Sequence, residues 1–539
     1  MYKKNKFAIF TCCFLILLAF AFSVHIRRQW FARPLDAHFE WQAGHSVCVT
    51  NNWLKEGAFS LRFMHVLNPD SIEFDSFASR KPYVSYPPGT FIPVFLIARI
   101  FNITDLVVLY QCYNLFNHLV ISIILFLLMF MIIDYFRKVD IFSTFFSLVP
   151  SLIYLFTAHT LYYHQNVFFT DQAVMLWFVI FVYMEIKRVL GGQLDKRNRL
   201  ILLATVFMGT LTDWLFVFVL AAAICMRMIF KDRHMEFKHI VASVMDLVAP
   251  ALAAVFIFSY QIISTNSFFV LIQTFKRRYR VGEDGSVVDF FQQHFVSYVI
   301  DKYGLFLCLS AVVAFSVLAG YYMFIVIKRG RSNGSGLMHT YLYLCCLVFL
   351  PCLLQVNTFQ QHSIVHDFSA LKWALPLSLV PFGIFPVVLI QTARKHKHYG
   401  FIAGFSVLFT IFSLAAVFGK TAHEYRDFFD IGSDDNRRLG ELVRRNAGYY
   451  DICFSFDFDI PVFPPPRLAY SGKRVYRIGD ISEARNLLAK FEEKGAKGKI
   501  FIHRDTWGKL SQDVEKFCSN IYIDCDYYIC EIARVGEDS

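Results

Sequence analysis

The feature that most constrains this chain is a series of apolar runs, many of them roughly 18–28 residues long. Such a run, wound as a helix, crosses a hydrocarbon layer of about 30 Å. Backbone N–H and C=O groups in lipid must be satisfied within the segment, so the runs are read as helices. A soluble alternative fails on size. Of 539 residues 56% are hydrophobic, 61 of them Phe, and a single soluble core stops growing near ~250–300 residues. The expected fold class is an α-helical polytopic membrane protein with about 11 transmembrane helices and a small C-terminal extracytoplasmic α/β domain.

The runs fall near 7–24, 107–133, 141–158, 172–186, 200–212, 214–230, 239–263, 302–327, 338–356, 371–391 and 400–418. The apolar stretch 90–101 is too short to span and is read as interfacial. The first run follows three lysines. Ala19-Phe-Ala21 resembles a signal cleavage site, but the run is longer than a usual signal core, so we read it as a retained helix. The net charge is +11. The short connections 135–140, 187–199, 231–238, 328–336 and 392–399 are basic, and they share one side if the spans alternate. That side is cytoplasmic by the positive-inside rule, and the basic balance needs no nucleic-acid partner. The N-terminus is then inside. The loops 25–106, 159–171, 264–301 and 357–370, the corner at Asp213 and the C-terminus are outside.

The expected division is a transmembrane catalytic domain, 1–420, and an extracytoplasmic accessory domain, 421–539. The tail reads as strand 451–457, strand 474–478, helix 481–494, strand 499–503, helix 508–517 and strand 527–534. This alternation suggests a partly parallel sheet. Asp480 reads as a helix cap, and Asp457 and Asp459 as strand-end residues. Thirteen cysteines show no zinc spacing. Cys453, Cys518, Cys525 and Cys530 cluster in the tail, where an oxidising compartment permits one or two disulfides.

The unusual polar residues gather in the outer loops. The first loop opens on Asp36-Ala-His38-Phe-Glu40-Trp-Gln42 and closes on Tyr86-Pro-Pro-Gly89. Others are His164, Asp171, Asp213, and His362 with His366-Asp367-Phe368, followed by Leu371-Lys372-Trp373. Polar groups at such depths are expensive and usually functional. Against this stands the ordinary reading of Asp171 and Asp213 as helix caps. A basic cluster, Lys276-Arg277-Arg278-Tyr-Arg280, breaks the charge rule on the outer side. Either a span is miscounted, or Arg277, Arg278 and Arg280 hold phosphate.

The set Asp36-x-His38-Phe with Gln42, then Tyr86-Pro-Pro-Gly89, Thr170-Asp171, and His366-Asp367-Phe368 before a Pro376-bearing helix, resembles the GT-C superfold glycosyltransferases. The nearest group is the bacterial enzymes of the glycosyltransferase family 39 kind, related to protein O-mannosyltransferases and lipid A aminoarabinose transferases. The resemblance covers about 1–420. It departs from the mannosyltransferase pattern, which has adjacent acids in the first loop, whereas Asp36 is followed by Ala37, with Glu40 beyond. Which acid does the work is left open.

The resemblance implies a polyprenyl-phosphate sugar donor and a lipid, glycan or protein acceptor. It implies Asp36 as general base, and Asp171 as a second acid that orients the acceptor or holds a divalent metal. His362, His366 and Asp367 would bind donor, and His38, Glu40, Gln42, Tyr86, His164 and Asp213 would line the site. One base with direct displacement implies inversion, unlike the paired-carboxylate retaining scheme. The alternatives are a transporter or flippase, a ligase or polymerase of lipid-linked glycans, and a membrane scaffold. A transporter places its polar residues near the midplane, often in inverted repeats, and no repeat is visible.

Overall fold

The computed structural model of the protein describes residues 6–136, 141–192, 194–229, 237–279, 287–329, 336–393, 399–428, 435–456 and 465–533. Arg280, Asp457 and Asp459 lie outside the described residues. The chain divides into two compact units. The first comprises Met1–Phe31, Ser85–Thr90 and Tyr110–Phe428, and the second Ala32–Val84, Phe91–Leu109 and Phe429–Ser539. Most of the first loop thus belongs with the tail.

In the first unit the apolar runs are helical where described, apart from breaks at Thr157, Trp214 and Gly304. Seven helices among the described residues are long and apolar enough to cross a membrane, from Lys6–Trp30 to Gly400–Asp427. The rest have identifiable reasons for falling short. Thr170–Gly191 carries Asp171, Glu185, Lys187 and Arg188. Lys196–Thr212 opens on three basic residues within four positions. Ile141–Phe156 and Leu215–Ile229 are apolar but have only 16 and 15 residues. The run from Asp367 begins as a 3-10 turn, Asp367–Trp373, and continues as helix through Ala393 with a π segment, Val380–Ile384.

A buried ion cluster joins three helices of this unit near one set of ends. Glu185 accepts from Arg227 and from Arg188 (3.1 Å), and the Tyr343 hydroxyl donates to it at 3.0 Å. An unpaired charge at this depth would be costly, so the pairing fixes the register of these helices.

The second unit is built on a five-stranded sheet in the order β2-β1-β3-β5-β4. The strands are β1 Asp451–Ser455, β2 Val475–Arg477, β3 Lys497–His503, β4 Cys518–Asp524 and β5 Tyr527–Ile532. β2, β1 and β3 run parallel, and β5 runs antiparallel to both of its neighbours, β3 and β4. Alternation along the strands fills both faces. Ile452, Phe454, Ile500 and Ile502 pack under the helices Ile481–Ala489 and Arg504–Glu515. Cys453, Phe501 and Ile529 meet the helix Asp435–Asn446. Asp480 is the expected cap, accepting from Glu483 N at 3.0 Å.

First-loop residues complete this unit. Ile72 enters the sheet core, and Tyr476 donates to Glu73 at 2.7 Å. The helix Trp41–Asn52 lies on Pro465–Ser471 so closely that a Cβ on Gly44 would sit 2.6 Å from Pro466 N. All thirteen cysteines are free thiols. Cys453 and Cys530 lie on strands separated by β3. Cys525 is exposed at the β4–β5 turn. Cys518 packs against the core cluster that contains Cys530.

Candidate active site

In the first unit four segments far apart in sequence, with Arg278 from a fifth, bring polar side chains to one place. The first is Ser85–Thr90. Its Pro-Pro-Gly turn seats against the end of the helix Lys196–Thr212, where a Cβ on Gly89 would lie 2.5 Å from the Leu211 carbonyl oxygen. Trp214 Nε1 donates to Ser85 O at 2.8 Å. The turn presents Tyr86, whose ring carries the Arg278 guanidinium 4.5 Å from its centroid. Its hydroxyl lies 3.3 Å from His362 Nε2. The His362 and His366 rings are 4.8 Å apart, and His366 stacks on Phe368.

The second and third segments carry Asp171 and Asp213, both buried. Asp171 is in the first turn of its helix, whose N-cap is Phe169, so it is not the cap that its position suggests. Asp213 does cap locally, accepting from Leu215 N at 2.7 Å through Oδ1. Lys372, from the fourth segment, is buried between them. Its Nζ is 3.7 Å from Asp171 Oδ1 and donates to Gln355 Oε1 at 2.5 Å. Gln355 Nε2 in turn donates to Asp213 Oδ1 at 3.2 Å. Oδ2 of both Asp171 and Asp213 is buried and makes no hydrogen bond to a described residue. Such atoms cost about 1–3 kcal/mol each unless a ligand completes them.

Electrostatics follow from burial and charge. Desolvation raises the Asp213 carboxyl, opposed by the Lys372 ammonium and the Leu215 N–H. Burial, then the Arg278 guanidinium, hold His366 down to about 4, with Asp367 pulling the other way. The same two causes, in the same order, keep His362 well below its usual range. Both imidazoles are therefore neutral hydrogen-bonding groups at ordinary pH. Asp367 Oδ1 accepts from the Tyr163 hydroxyl at 2.6 Å. Among the described residues no three His, Cys, Asp or Glu side chains are grouped to hold a metal. The charge facing the two acids comes from Lys372 and Arg278.

The sequence-predicted residues thus separate. Tyr86, Asp171, Asp213, Arg278, His362, His366 and Asp367 come together. Arg277, one residue from Arg278, is exposed. His164 belongs to another cluster of the same unit, where the Tyr154 hydroxyl lies 2.8 Å from its Nε2 and its ring stacks on His118 beside Arg27. Asp36, His38, Glu40 and Gln42 are in the second unit. There Asn436 Nδ2 donates to Asp36 Oδ1, and Arg33 pairs with Glu40 at 2.7 Å. Burial pushes the Glu40 carboxyl up to about 7, against the pull of Arg33 and the Ala37 N–H. His38 packs edge-on against Phe39, and Gln42 is buried.

Lys372 and Gln355 were not chosen as site residues from sequence. Each carries a signal: an ammonium inside one apolar run and a carboxamide near the end of another, which lipid-facing positions do not tolerate.

The fold, a helical membrane unit with a small α/β unit, is similar to that of GT-C structures. The likeness is to solved structures of ArnT from Cupriavidus metallidurans. The structure in the apo state aligns at TM-score 0.50 and 10% identity, covering 97% of this chain and 97% of that one. The structure bound to undecaprenyl phosphate aligns at TM-score 0.50 and 9% identity, covering 98% of each. At such identity the likeness is one of fold. No protein-family model and no curated protein matches the chain.

Proposed function

We propose that this chain is a membrane glycosyltransferase that moves a sugar from a polyprenyl-phosphate donor to a hydroxyl acceptor on the extracytoplasmic face. The observation that carries the reading is the convergence of Arg278, Lys372, Asp171, Asp213 and the two neutral histidines at the ends of helices of a GT-C fold. Two cations beside two acids with spare oxygens suit a ligand that is phosphate at one end and polyhydroxylated at the other. ArnT in one solved structure holds undecaprenyl phosphate, an anionic lipid of the same chemistry.

In this reading Arg278 and Lys372 hold the donor phosphate and neutralise the charge that grows on it as it leaves. Arg278 lies over the Tyr86 ring, and a planar guanidinium is the group best suited to bidentate binding of phosphate oxygens. The spare Oδ2 atoms of Asp171 and Asp213 accept from sugar or acceptor hydroxyls. The acceptor oxygen attacks the anomeric carbon, and the bond from that carbon to phosphate oxygen breaks. Polyprenyl phosphate departs with the electron pair, the acceptor proton passes to a carboxylate, and the configuration inverts. Asp36 is the proposed base, with Asn436 fixing its second oxygen. Glu40, tied to Arg33, is the weaker candidate.

The test compares membranes of cells with and without the protein for polyprenyl-phosphate sugars and for envelope glycans. Loss of the protein is expected to raise one lipid-linked sugar and remove one glycan modification. Lys372→Gln should reproduce both. An unchanged lipid-linked pool in both backgrounds would overturn the reading.

A further inference from the structure

The second unit contains a cavity of about 690 Å³ that the transfer chemistry does not use. That volume lies within the range of small-molecule sites. Its walls come from the helices Trp41–Asn52, Asp435–Asn446 and Pro465–Ser471, the end of the short helix Ile92–Phe101, and the first turn of Leu106–Phe136. Basic residues dominate the lining: Arg33, Lys55, Arg99, Arg437 and Arg444, against Asp105 and Glu441. Two of these cations are already answered, Arg33 by Glu40 and Arg437 by Glu441 at 2.9 Å. Asp105 is committed as well, accepting from Val108 N at 3.1 Å. Lys55, Arg99 and Arg444 make no ion pair among the described residues. Three unanswered cations thus face one cavity from three different elements.

The rim indicates what they meet. Arg99 lies on a ten-residue helix whose Ile100 and Phe101 are 72% and 71% exposed. Leu106, on the cavity wall, begins the 31-residue span Leu106–Phe136. A short helix with exposed apolar residues beside the start of a span is an interfacial element. Basic residues on the extracytoplasmic side also run against the charge bias that orients membrane proteins, so orientation does not explain them. A basic basin bordered by apolar surface fits an amphiphile whose head is anionic.

We infer that this cavity binds the phosphate-bearing headgroup of an anionic membrane lipid, with Lys55, Arg99 and Arg444 around the phosphate and the acyl chains along Ile100 and Phe101. The inference is independent of the transfer reaction, because none of these residues is placed in the transfer chemistry.

The test uses the full chain in phosphatidylcholine nanodiscs with and without phosphatidylglycerol, followed by native mass spectrometry of lipid retained after extraction. Lys55→Gln/Arg99→Gln/Arg444→Gln should lower phosphatidylglycerol retention about a hundredfold, at about fivefold per cation. The charge-keeping set Lys55→Arg/Arg99→Lys/Arg444→Lys should retain it. If the triple variant does not fold in pure phosphatidylcholine, Arg99→Gln alone, which breaks no ion pair, should still lose about fivefold. Equal retention by neutralised and unaltered protein means ordinary annular lipid and overturns the inference. So does displacement of the lipid by soluble glycerophosphate, which would make the cavity a site for free phosphate.

Discussion

Lys372 sets the charge balance of the candidate site, since without it Asp171 and Asp213 would face each other with only Arg278 to offset them. The two acids proposed for chemistry then make different predictions. Asp36→Asn should lower turnover by ~10²–10⁴-fold while donor binding persists, because an amide keeps the shape but takes no proton. Asp171→Asn should weaken donor or acceptor binding with a smaller loss of turnover. Single-turnover rates and donor affinities on both variants separate the roles, and the reverse pattern would make Asp171 the base. Glu40 adds a pH prediction. Its folded pKa, about 7, stands above the ordinary value of 4.5. The folded state then holds the extra proton, and the cost of burying the ionised carboxylate appears as pH rises from 4.5 through 7. Stability should fall across that window by up to ~3 kcal/mol. Glu40→Gln should flatten the dependence, read as thermal unfolding midpoints at pH 5 and pH 8. Of these residues the acids and histidines were legible in the sequence, because polar groups at the ends of apolar runs stand out. Lys372 and Gln355 were less so. Their meaning depends on which helix end they approach, and spacing within one run does not contain that.

Two elements carry the geometry that the side chains need. The Pro-Pro-Gly turn works by close approach. A Cβ on Gly89 would meet backbone, the Leu211 carbonyl carbon and oxygen at 2.7 and 2.5 Å, and backbone at a helix end gives little. Gly89→Ala should shift Tyr86, and with it Arg278, so donor affinity should fall while the protein still inserts and unfolds near its usual temperature. Normal donor affinity in that variant would detach the turn from the site. The Glu185 cluster is the opposite case, an element with no proposed chemistry. Removing one partner of a buried ion pair typically costs about 3–5 kcal/mol. Glu185→Ala should therefore lower the thermal midpoint sharply, with residual folded protein keeping its donor affinity. The helices themselves were legible from run length and the parallel strands from alternation. β4 was not: Cys518–Asp524 is mostly polar or half-buried at the sheet edge, and an edge strand needs only one apolar face. The helix Asp435–Asn446 also escaped, because its four arginines mask a narrow stripe formed by Leu439, Leu442 and Val443.

At the scale of the molecule, the sequence suggests a membrane domain followed by a tail, whereas the compact units interleave. The second unit takes its sheet from the end of the chain and its helix Trp41–Asn52, Ile72 and Glu73 from the first loop. Local composition shows where polarity changes, but not that two segments some 400 residues apart share a core. This bears on how the chain tolerates cutting. Removing everything after Phe428 deletes Asn436, which holds Asp36, and Tyr470, whose hydroxyl accepts from Leu35 N at 3.1 Å. It also strips Gly44 and Ile72 of their packing. The truncated protein should insert, because its apolar helices are intact, and reporter fusions at Gly334 should still read the cytoplasmic side. Arg278, Lys372, Asp171 and Asp213 all remain, so binding of a polyprenyl phosphate should survive within about tenfold, which corresponds to 1.4 kcal/mol. Transfer should vanish, and it should not return when the missing segment is added as a separate chain, because the loop that completes its core is tethered elsewhere. Limited proteolysis should cut the first loop of the truncated protein between residues 32 and 84 at sites protected in the whole chain. Transfer by a well-inserted truncated protein would show that the tail neither holds Asp36 for catalysis nor folds with the first loop in any way that matters. Loss of lipid-phosphate binding would instead place part of the donor site in the second unit.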